Sequence, residues 1–477
     1  MRRAIKNNTV LSRWAATLAR RGSAAAVRGR DGGVERTFAD IEAEAREWVE
    51  RFGRWRAGSV VGVQAGNAPA WLALVLGAMR AGVVAMPLGG HMGREERELA
   101  LETCGAGGVV LEHENGLQVE DREYGGGRRA LEGCDFLKLT SGTTSRPRAI
   151  RFTAAQLVAD CDNICETMGI GEGDLNFGVI PFSHSYGFSN LITPLLCRGV
   201  ALAASADPMP WAMLTDLART GSTVFPGTPV IYETLAGIEG AAALPELRLC
   251  ISAGAPLPAR VGEAFSARYG LKIHTFYGSS ECGGIAYDAG EDCIYERGFV
   301  GGPMRNVEIG PSGEAGRIAV RSGAVGEGYY PEPDPEALDR GQFIPGDLVR
   351  IGERGFYLEG RATDVINIAG RKLNPAEVEQ RLAQCPGVRR VVVFGVASAL
   401  RNEEAVACIS GSAKAEEVLR FARAVLSAWQ VPRDIWLVDE VPVNDRGKIS
   451  RRELARAYAQ RNEAVLKDGK FPLPRPS

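Results

Sequence analysis

The chain has 477 residues, enough for two or three domains and a sizeable core, and its 56 basic and 58 acidic residues leave a net charge of −2. That balance gives no electrostatic basis for nucleic acid as a partner. Ten scattered cysteines without a CxxC pair and four dispersed histidines argue against a zinc cluster and for reduced thiols in a cytoplasmic protein, and no apolar run reaches the roughly 18 residues that span a membrane.

The first 30 residues hold seven arginines, one lysine and no acid, a composition shared with organelle transit peptides. Val10, Leu11, Trp14, Ala15, Leu18 and Ala19 nevertheless recur at steps that place them on one face of an amphipathic helix, and a helix is the reading adopted. Gly58 to Gly66 reads as strand and turn, Ala70 to Gly82 as a buried helix, and Val83 to Gly89 as the next strand. The polar stretch His113 to Gly133 reads as a surface connection. Short β-branched runs alternating with helical patterns predict an α/β fold with a large, multi-layer N-terminal domain of β-sheets and helices.

The connection leads to Lys138–Ile150, KLTSGTTSRPRAI, where an apolar strand hands over to a run of hydroxyls and glycine. Small residues let backbone N–H groups approach phosphate oxygens; the hydroxyls of Thr140, Ser141, Thr143 and Thr144 add donors beside Gly142, and Arg146 and Arg148 add charge. The lysine and second glycine of a Walker loop are missing. A solvated loop is the alternative for such a run taken alone.

The sharpest boundary follows Gly360-Arg361, dividing the chain into residues 1–360 and a small α+β domain over 361–477. There Val365 to Ile368 reads as extended, Asn374 as a helix N-cap with Pro375 at the first position and Glu377 closing a capping box. VRRVVVFGVA and EAVACI read as strands, AEEVLRFARAVLSAW as a helix, and FPLPRPS as a disordered tail.

The phosphate-loop candidate is followed in order by SAGAPLP (Ser252 to Pro258), FYGSSECGG (Phe276 to Gly284), PGDLVRI (Pro345 to Ile351), GRATDVINIAGRKLNPAEVE (Gly360 to Glu379) and PVNDRGKISRREL (Pro442 to Leu454). These blocks resemble the adenylate-forming superfamily of acyl-CoA synthetases, peptide-synthetase adenylation domains and beetle luciferases, over about Leu11 to Tyr458. The resemblance implies a mobile C-terminal domain and a two-step reaction: a carboxylic acid and ATP with Mg2+ give an acyl-adenylate and pyrophosphate, and the thiol of coenzyme A, or of a phosphopantetheinyl carrier protein, displaces AMP.

It also implies roles for single residues. Glu281 matches the magnesium-coordinating glutamate; Ser280, beside Gly278, replaces the more usual threonine. Tyr277 would stack on adenine, with Ser252, Ala253, Gly254 and Ala255 along the other face of the base. Asp347 and Arg361 match the pair that holds the ribose, and Lys448 the lysine that bridges carboxylate and α-phosphate. Thr363 and Asp364 occupy the hinge, where Asp or Lys usually stands at the first position, and Gly370 would border the thiol channel. Ser145 replaces a glycine, while Arg148 and Asn367 replace lysines; Arg148 keeps its charge, whereas the altered hinge bears on rotation and the thiol step.

For the acid, Pro181 to Phe188 offers Phe182, His184, Tyr186 and Phe188 and no carboxylate to pair with an amino-acid ammonium. With Phe276 narrowing the pocket and His184 as the gating group, an aryl or a short- to medium-chain acid is expected. The alternatives are a stand-alone adenylation enzyme that loads a separate carrier, since the chain has no Gly-x-Asp-Ser motif of its own, and a non-catalytic binder of nucleotide or acyl-adenylate.

Overall fold

The structure is a computed structural model and describes residues 8–114, 116–122, 130–140, 147–205, 209–240, 243–314, 316–339, 341–368, 371–398, 402–443 and 449–467. Its contacts divide the chain into a unit of residues 1–345 with 351–357 and a unit of residues 346–350 with 358–477. The short segment 346–350 thus goes with the C-terminal unit, whereas the expected division ran at 360/361.

The N-terminal unit opens with the helix Thr9–Arg21, capped by Asn8, whose Oδ1 accepts from Leu11 N–H at 3.0 Å. Its buried stripe is Val10, Leu11, Trp14 and Thr17; the expected Ala15 and Ala19 face outward, because a threonine three residues after Trp14 continues the inward row.

One seven-stranded sheet runs in the order Gly328–Tyr330, Arg148–Phe152, Phe136–Thr140, Val84–Leu88, Val60–Gln64, Gly108–His113, Gly116–Asp121. Its centre is parallel, and Val60–Gln64 and Val84–Leu88 are buried along their whole length, as strands covered on both faces must be. Between them passes the apolar helix Ala70–Ala81, ended by Gly82 in the left-handed conformation at φ 70°. Gly77 of this helix lies so close to Trp48 that a Cβ would sit 2.4 Å from the tryptophan Cβ. The stretch expected to be only a surface connection contains the edge strand Gly116–Asp121, antiparallel to Gly108–His113, in which only Leu117 and Val119 turn partly inward.

A larger sheet carries Ala25–Arg28, Ala201–Ala204, Leu175–Gly178, Val224–Gly227, Leu249–Ser252 and Ile273–Ser279 as parallel neighbours, then turns antiparallel through Gly283–Tyr287 and Phe299–Pro303. Its core is aromatic: Phe225 and Phe265 flank Tyr232, whose hydroxyl is satisfied by the Phe225 carbonyl at 2.7 Å.

The C-terminal unit is built on the hairpin Val388–Ser398 and Asn402–Gly411, flanked by Ile366–Ile368 and Asp434–Val438. The helices Pro375–Leu382 and Ala415–Val425 pack Val378, Leu382, Val418 and Ala422 onto it. Asn374 caps the first of these through Ala376 N–H at 3.1 Å, and its Nδ2 donates to the Glu359 carbonyl at 2.9 Å; the expected capping box with Glu377 does not form, since Glu377 N–H donates to the Asn374 backbone carbonyl at 3.2 Å and not to its side chain. The second helix stops at Val425 rather than at Trp429. All ten cysteines are free thiols, and Cys293 is the exposed one. Among the described residues no helix is long and apolar enough to cross a membrane.

Candidate active site

Parallel strands deliver their C-terminal ends to one edge of a sheet, and segments leaving that edge meet there. Pro181–Phe188 follows the strand Leu175–Gly178, Ser252–Ala255 ends the strand Leu249–Ser252, and Tyr277–Glu281 ends the strand Ile273–Ser279. The structure brings these segments together. Ser185 Oγ donates to Ser280 Oγ at 2.9 Å, and the Tyr186 hydroxyl reaches the carbonyls of Gly227 at 3.3 Å and Ile251 at 3.2 Å. Burial pushes the Tyr186 phenol well above its ordinary pKa, so it stays a neutral donor.

Glu281 occupies the turn between the strands Ile273–Ser279 and Gly283–Tyr287. Its N–H donates to Ser279 Oγ at 3.2 Å and its carbonyl accepts from Gly326 N–H at 2.8 Å, which fixes the backbone. The carboxylate is oriented by a residue that sequence reasoning missed: the Tyr329 hydroxyl donates to Glu281 Oε1 at 3.0 Å. Tyr329 pairs with Ile150 in the sheet, and the Arg148 guanidinium lies 4.0 Å from its ring centroid. Arg148 also faces Asp334 Oδ2 at 3.7 Å. An aromatic pair inside Gly326–Pro331 was the sole sequence signal, and the partner lies 48 residues away.

The other oxygen of Glu281 has no partner among the described residues, and no cluster of three or more His, Cys, Asp or Glu side chains is found among them. One oriented carboxylate suits Mg2+, which is commonly held by one or two carboxylates together with substrate phosphates rather than by an all-protein cage.

Thr140 and Arg148 face each other across an antiparallel hairpin, with Thr140 Oγ1 donating to the Arg148 carbonyl at 3.3 Å. Ser141, Gly142, Thr143 and Thr144, which the hairpin joins, lie outside the described residues, as do Gly370 and Lys448. Tyr277 and Phe276 are each 7% exposed, and Ser252 is 2% exposed with its Oγ unpartnered. Gly278, Gly254 and Ala255 are exposed, and Gly254 has φ 89°.

The aromatic wall needs correction. Phe182 and Phe188 are each 1% exposed, and Phe188 stacks on Phe136 at 4.2 Å, so both are core supports for the segment rather than an open surface. Tyr186 and Phe276 have ring centroids 6.0 Å apart, and His184 is half-buried.

Within the C-terminal unit Arg361 Nε donates to Asp347 Oδ1 at 3.1 Å, which brings together the two residues expected to act on the ribose. Thr363 and Asp364 lie in the 3-10 turn Ala362–Asp364.

The chain matches the AMP-binding enzyme family over residues 13–130 and 134–330, and the AMP-binding enzyme C-terminal domain over 377–448. A feruloyl-CoA synthase of Amycolatopsis sp is 27% identical over 470 residues, covering 90% of this chain and 95% of the relative. The 3-hydroxybenzoate–CoA/4-hydroxybenzoate–CoA ligase of Thauera aromatica is 30% identical over 344 residues, covering 66% and 64%. Among solved structures, ATP-bound MatB from Rhodopseudomonas palustris aligns with a TM-score of 0.83 at 23% identity, over 95% of this chain and 99% of that one, a likeness of fold. By its sequence match across both parts, the chain belongs to the AMP-binding enzyme family of adenylate-forming enzymes.

Proposed function

We propose that this AMP-forming acid–CoA ligase activates an aryl or a short- to medium-chain carboxylic acid with ATP and passes the acyl group to coenzyme A. The observation that carries the reading is the meeting of Glu281, Tyr329 and Arg148 with the Ser185–Ser280 contact at the carboxyl ends of the parallel strands. The named activities of the relatives, feruloyl and hydroxybenzoate ligation to CoA, support the aryl preference.

Joining a carboxylate to an α-phosphorus brings anions together, so the protein must supply positive charge and alignment. Glu281 is the candidate holder of Mg2+, which when bound would neutralise phosphate charge. Tyr329 keeps the Glu281 carboxylate aimed, and Arg148 adds a permanent cation behind it. The hydroxyls of Thr140, Ser141, Thr143 and Thr144, with Gly142, are the candidate phosphate donors. Asp347 and Arg361 are the candidates for the ribose hydroxyls, Tyr277 and Ser252–Ala255 for the base, Lys448 for the charge between the two reactants, Gly370 for the thiol channel, and Thr363–Asp364 for the hinge. His184 would guard the carboxylate until the thiol arrives. Tyr186 and Phe276 carry no charge to pair with an ammonium, which favours acids without an α-amino group.

The test is pyrophosphate release across a panel of aryl, fatty and amino acids, with and without coenzyme A. Release with aryl or short acids and thioester formation with coenzyme A is the expected result. Activity confined to amino acids, or acyl transfer to a carrier protein and not to coenzyme A, would replace it.

A further inference from the structure

Lys138 lies two residues before Thr140 on the strand that feeds the phosphate-loop segment, yet it is 4% exposed. Its Nζ donates to Ser189 Oγ at 3.3 Å, and Ser189 Oγ donates onward to Asp160 Oδ2 at 2.6 Å. Asp160 Oδ1 accepts from Gly284 N–H at 3.0 Å. Ser189 and Asp160 are 4% and 3% exposed. The ammonium also lies 4.6 Å from the Phe152 ring centroid and 6.0 Å from that of Phe188.

The chain of contacts joins four segments. Lys138 belongs to the strand entering the phosphate loop, Ser189 to the π-helical turn Phe188–Ile192 just after His184, Asp160 to the helix Ala154–Met168, and Gly284 to the strand leaving the Glu281 turn. The fit at the last of these is tight: Gly283 has φ 69°, and a Cβ on it would fall 1.9 Å from Asp160 Oδ1.

Burying a lysine and an aspartate costs desolvation, and well-packed apolar residues in their place are often as stable or more so. Stability therefore does not account for the pair. We infer that Lys138, acting through Ser189 and Asp160, is a positioning residue that sets the Glu281 turn against the phosphate-loop strand so that both address one metal–triphosphate group. The inference rests on the reading of Glu281 as the magnesium carboxylate. Burial lowers the Lys138 pKa, and the neighbouring Asp160 carboxylate, Cys282 thiol and Glu281 carboxylate oppose that shift.

The test uses the full-length protein with Lys138→Met, the double variant Lys138→Met/Asp160→Asn, and Glu281→Gln. Thermal melts report stability, calorimetry reports binding of ATP with Mg2+ and with EDTA, and pyrophosphate release gives KM for MgATP and for the acid separately. Lys138→Met alone leaves Asp160 unpaired and lowers the melting temperature. The double variant removes both charges while its amide can still accept from Gly284 N–H, so its melting temperature recovers. The expected result is that its Mg2+-dependent ATP affinity stays roughly 10- to 100-fold below wild type, as for other groups that act behind a metal ligand, with KM for the acid unchanged. Full recovery of MgATP binding, an equal loss of ATP binding in EDTA, or failure of the double variant to fold would each overturn the inference. If Glu281→Gln leaves the Mg2+ dependence of the wild type intact, the metal assignment fails, and the inference falls with it for that separate reason.

Discussion

Arg451 donates from Nη1 to Asp364 Oδ2 at 2.7 Å, which anchors the last residue of the candidate hinge to a helix of its own unit. The same guanidinium donates from Nη2 to Glu379 Oε1 at 2.7 Å and from Nε to the Val393 carbonyl at 2.9 Å. A single fork thus closes the 3-10 turn Ala362–Asp364 against the helix Pro375–Leu382 and the hairpin. Arg451→Met leaves two partly buried carboxylates without a cation. It should destabilise the C-terminal unit by about 3 kcal/mol, the lower end for breaking a buried pair. Differential scanning calorimetry checks this, and an unchanged C-terminal transition would mean the fork contributes nothing.

Tyr329→Phe removes the donor to Glu281 while keeping the ring under Arg148. A hydrogen bond to a charged group contributes about 1.5–3 kcal/mol, so kcat/KM for MgATP should fall at least about tenfold. The melting temperature should change little. Steady-state pyrophosphate release at varied Mg2+ is the measurement, and an unaltered metal dependence would remove Tyr329 from the site.

Phe276→Ala should widen acceptance toward bulkier acids, since the ring stands beside Tyr186 at 6.0 Å and has 7% of its surface exposed. Emptying that volume should also cost about 3–5 kcal/mol of stability. Relative kcat/KM over a series of acids of increasing size decides the first point. A profile identical to wild type would place the acid elsewhere.

Lys448→Ala should reduce acyl-adenylate formation by roughly 100- to 1,000-fold, the loss typical of one transition-state donor. Thioester formation from supplied acyl-adenylate should be largely spared. Equal damage to both half-reactions would show that the lysine does not act in adenylation alone.

His274 is 7% exposed, and its Nδ1 lies 2.8 Å from the Asp288 carbonyl, which can only accept, so the neutral ring carries its proton there. Burial lowers its pKa below the ordinary 6.5; the bond to Asp288 O opposes this, the Lys272 charge adds to it, and the Asp288 and Glu291 carboxylates oppose it. The unfolded chain therefore binds a proton first as pH falls. Stability is intact above about 6.5 and is lost on acidification from there toward the lowered folded value. Melts between pH 7.5 and 5 should show a smaller acid loss for His274→Gln than for wild type; parallel curves would contradict this.

Elements whose pattern is local were legible in the sequence. The helix Ala70–Ala81 announced itself by an unbroken apolar run and a closing glycine, and the strand Phe136–Thr140 by its apolar lead-in. The strand Gly116–Asp121 escaped because only Leu117 and Val119 interrupt a polar stretch, and its pairing is supplied by a neighbour. Glu281, and separately the Asp347–Arg361 pair of the C-terminal unit, were singled out through their blocks of sequence. Tyr329 and Asp160 were not, because their chemistry exists only once residues 48 and 124 positions away arrive beside them. Phe182 and Phe188 show the opposite error: composition placed aromatics near the acid, but composition cannot tell a wall from the masonry behind it.

The free thiols give the wild-type chain a set of internal clocks. Thiolates react and thiols do not, and burial holds Cys134 and Cys408 up near a pKa of about 11 and raises Cys385 as well. Cys293 is the exposed thiol of the folded protein, Cys134 is partly exposed and the others are buried. A maleimide pulse followed by peptide mapping would therefore mark Cys293 at once. Later labelling at Cys385 and Cys408 would time the opening of the C-terminal unit, and labelling at Cys250 and Cys282 that of the N-terminal one. The order in which substrates slow each clock would reveal which unit each substrate braces, with no probe engineered into the chain.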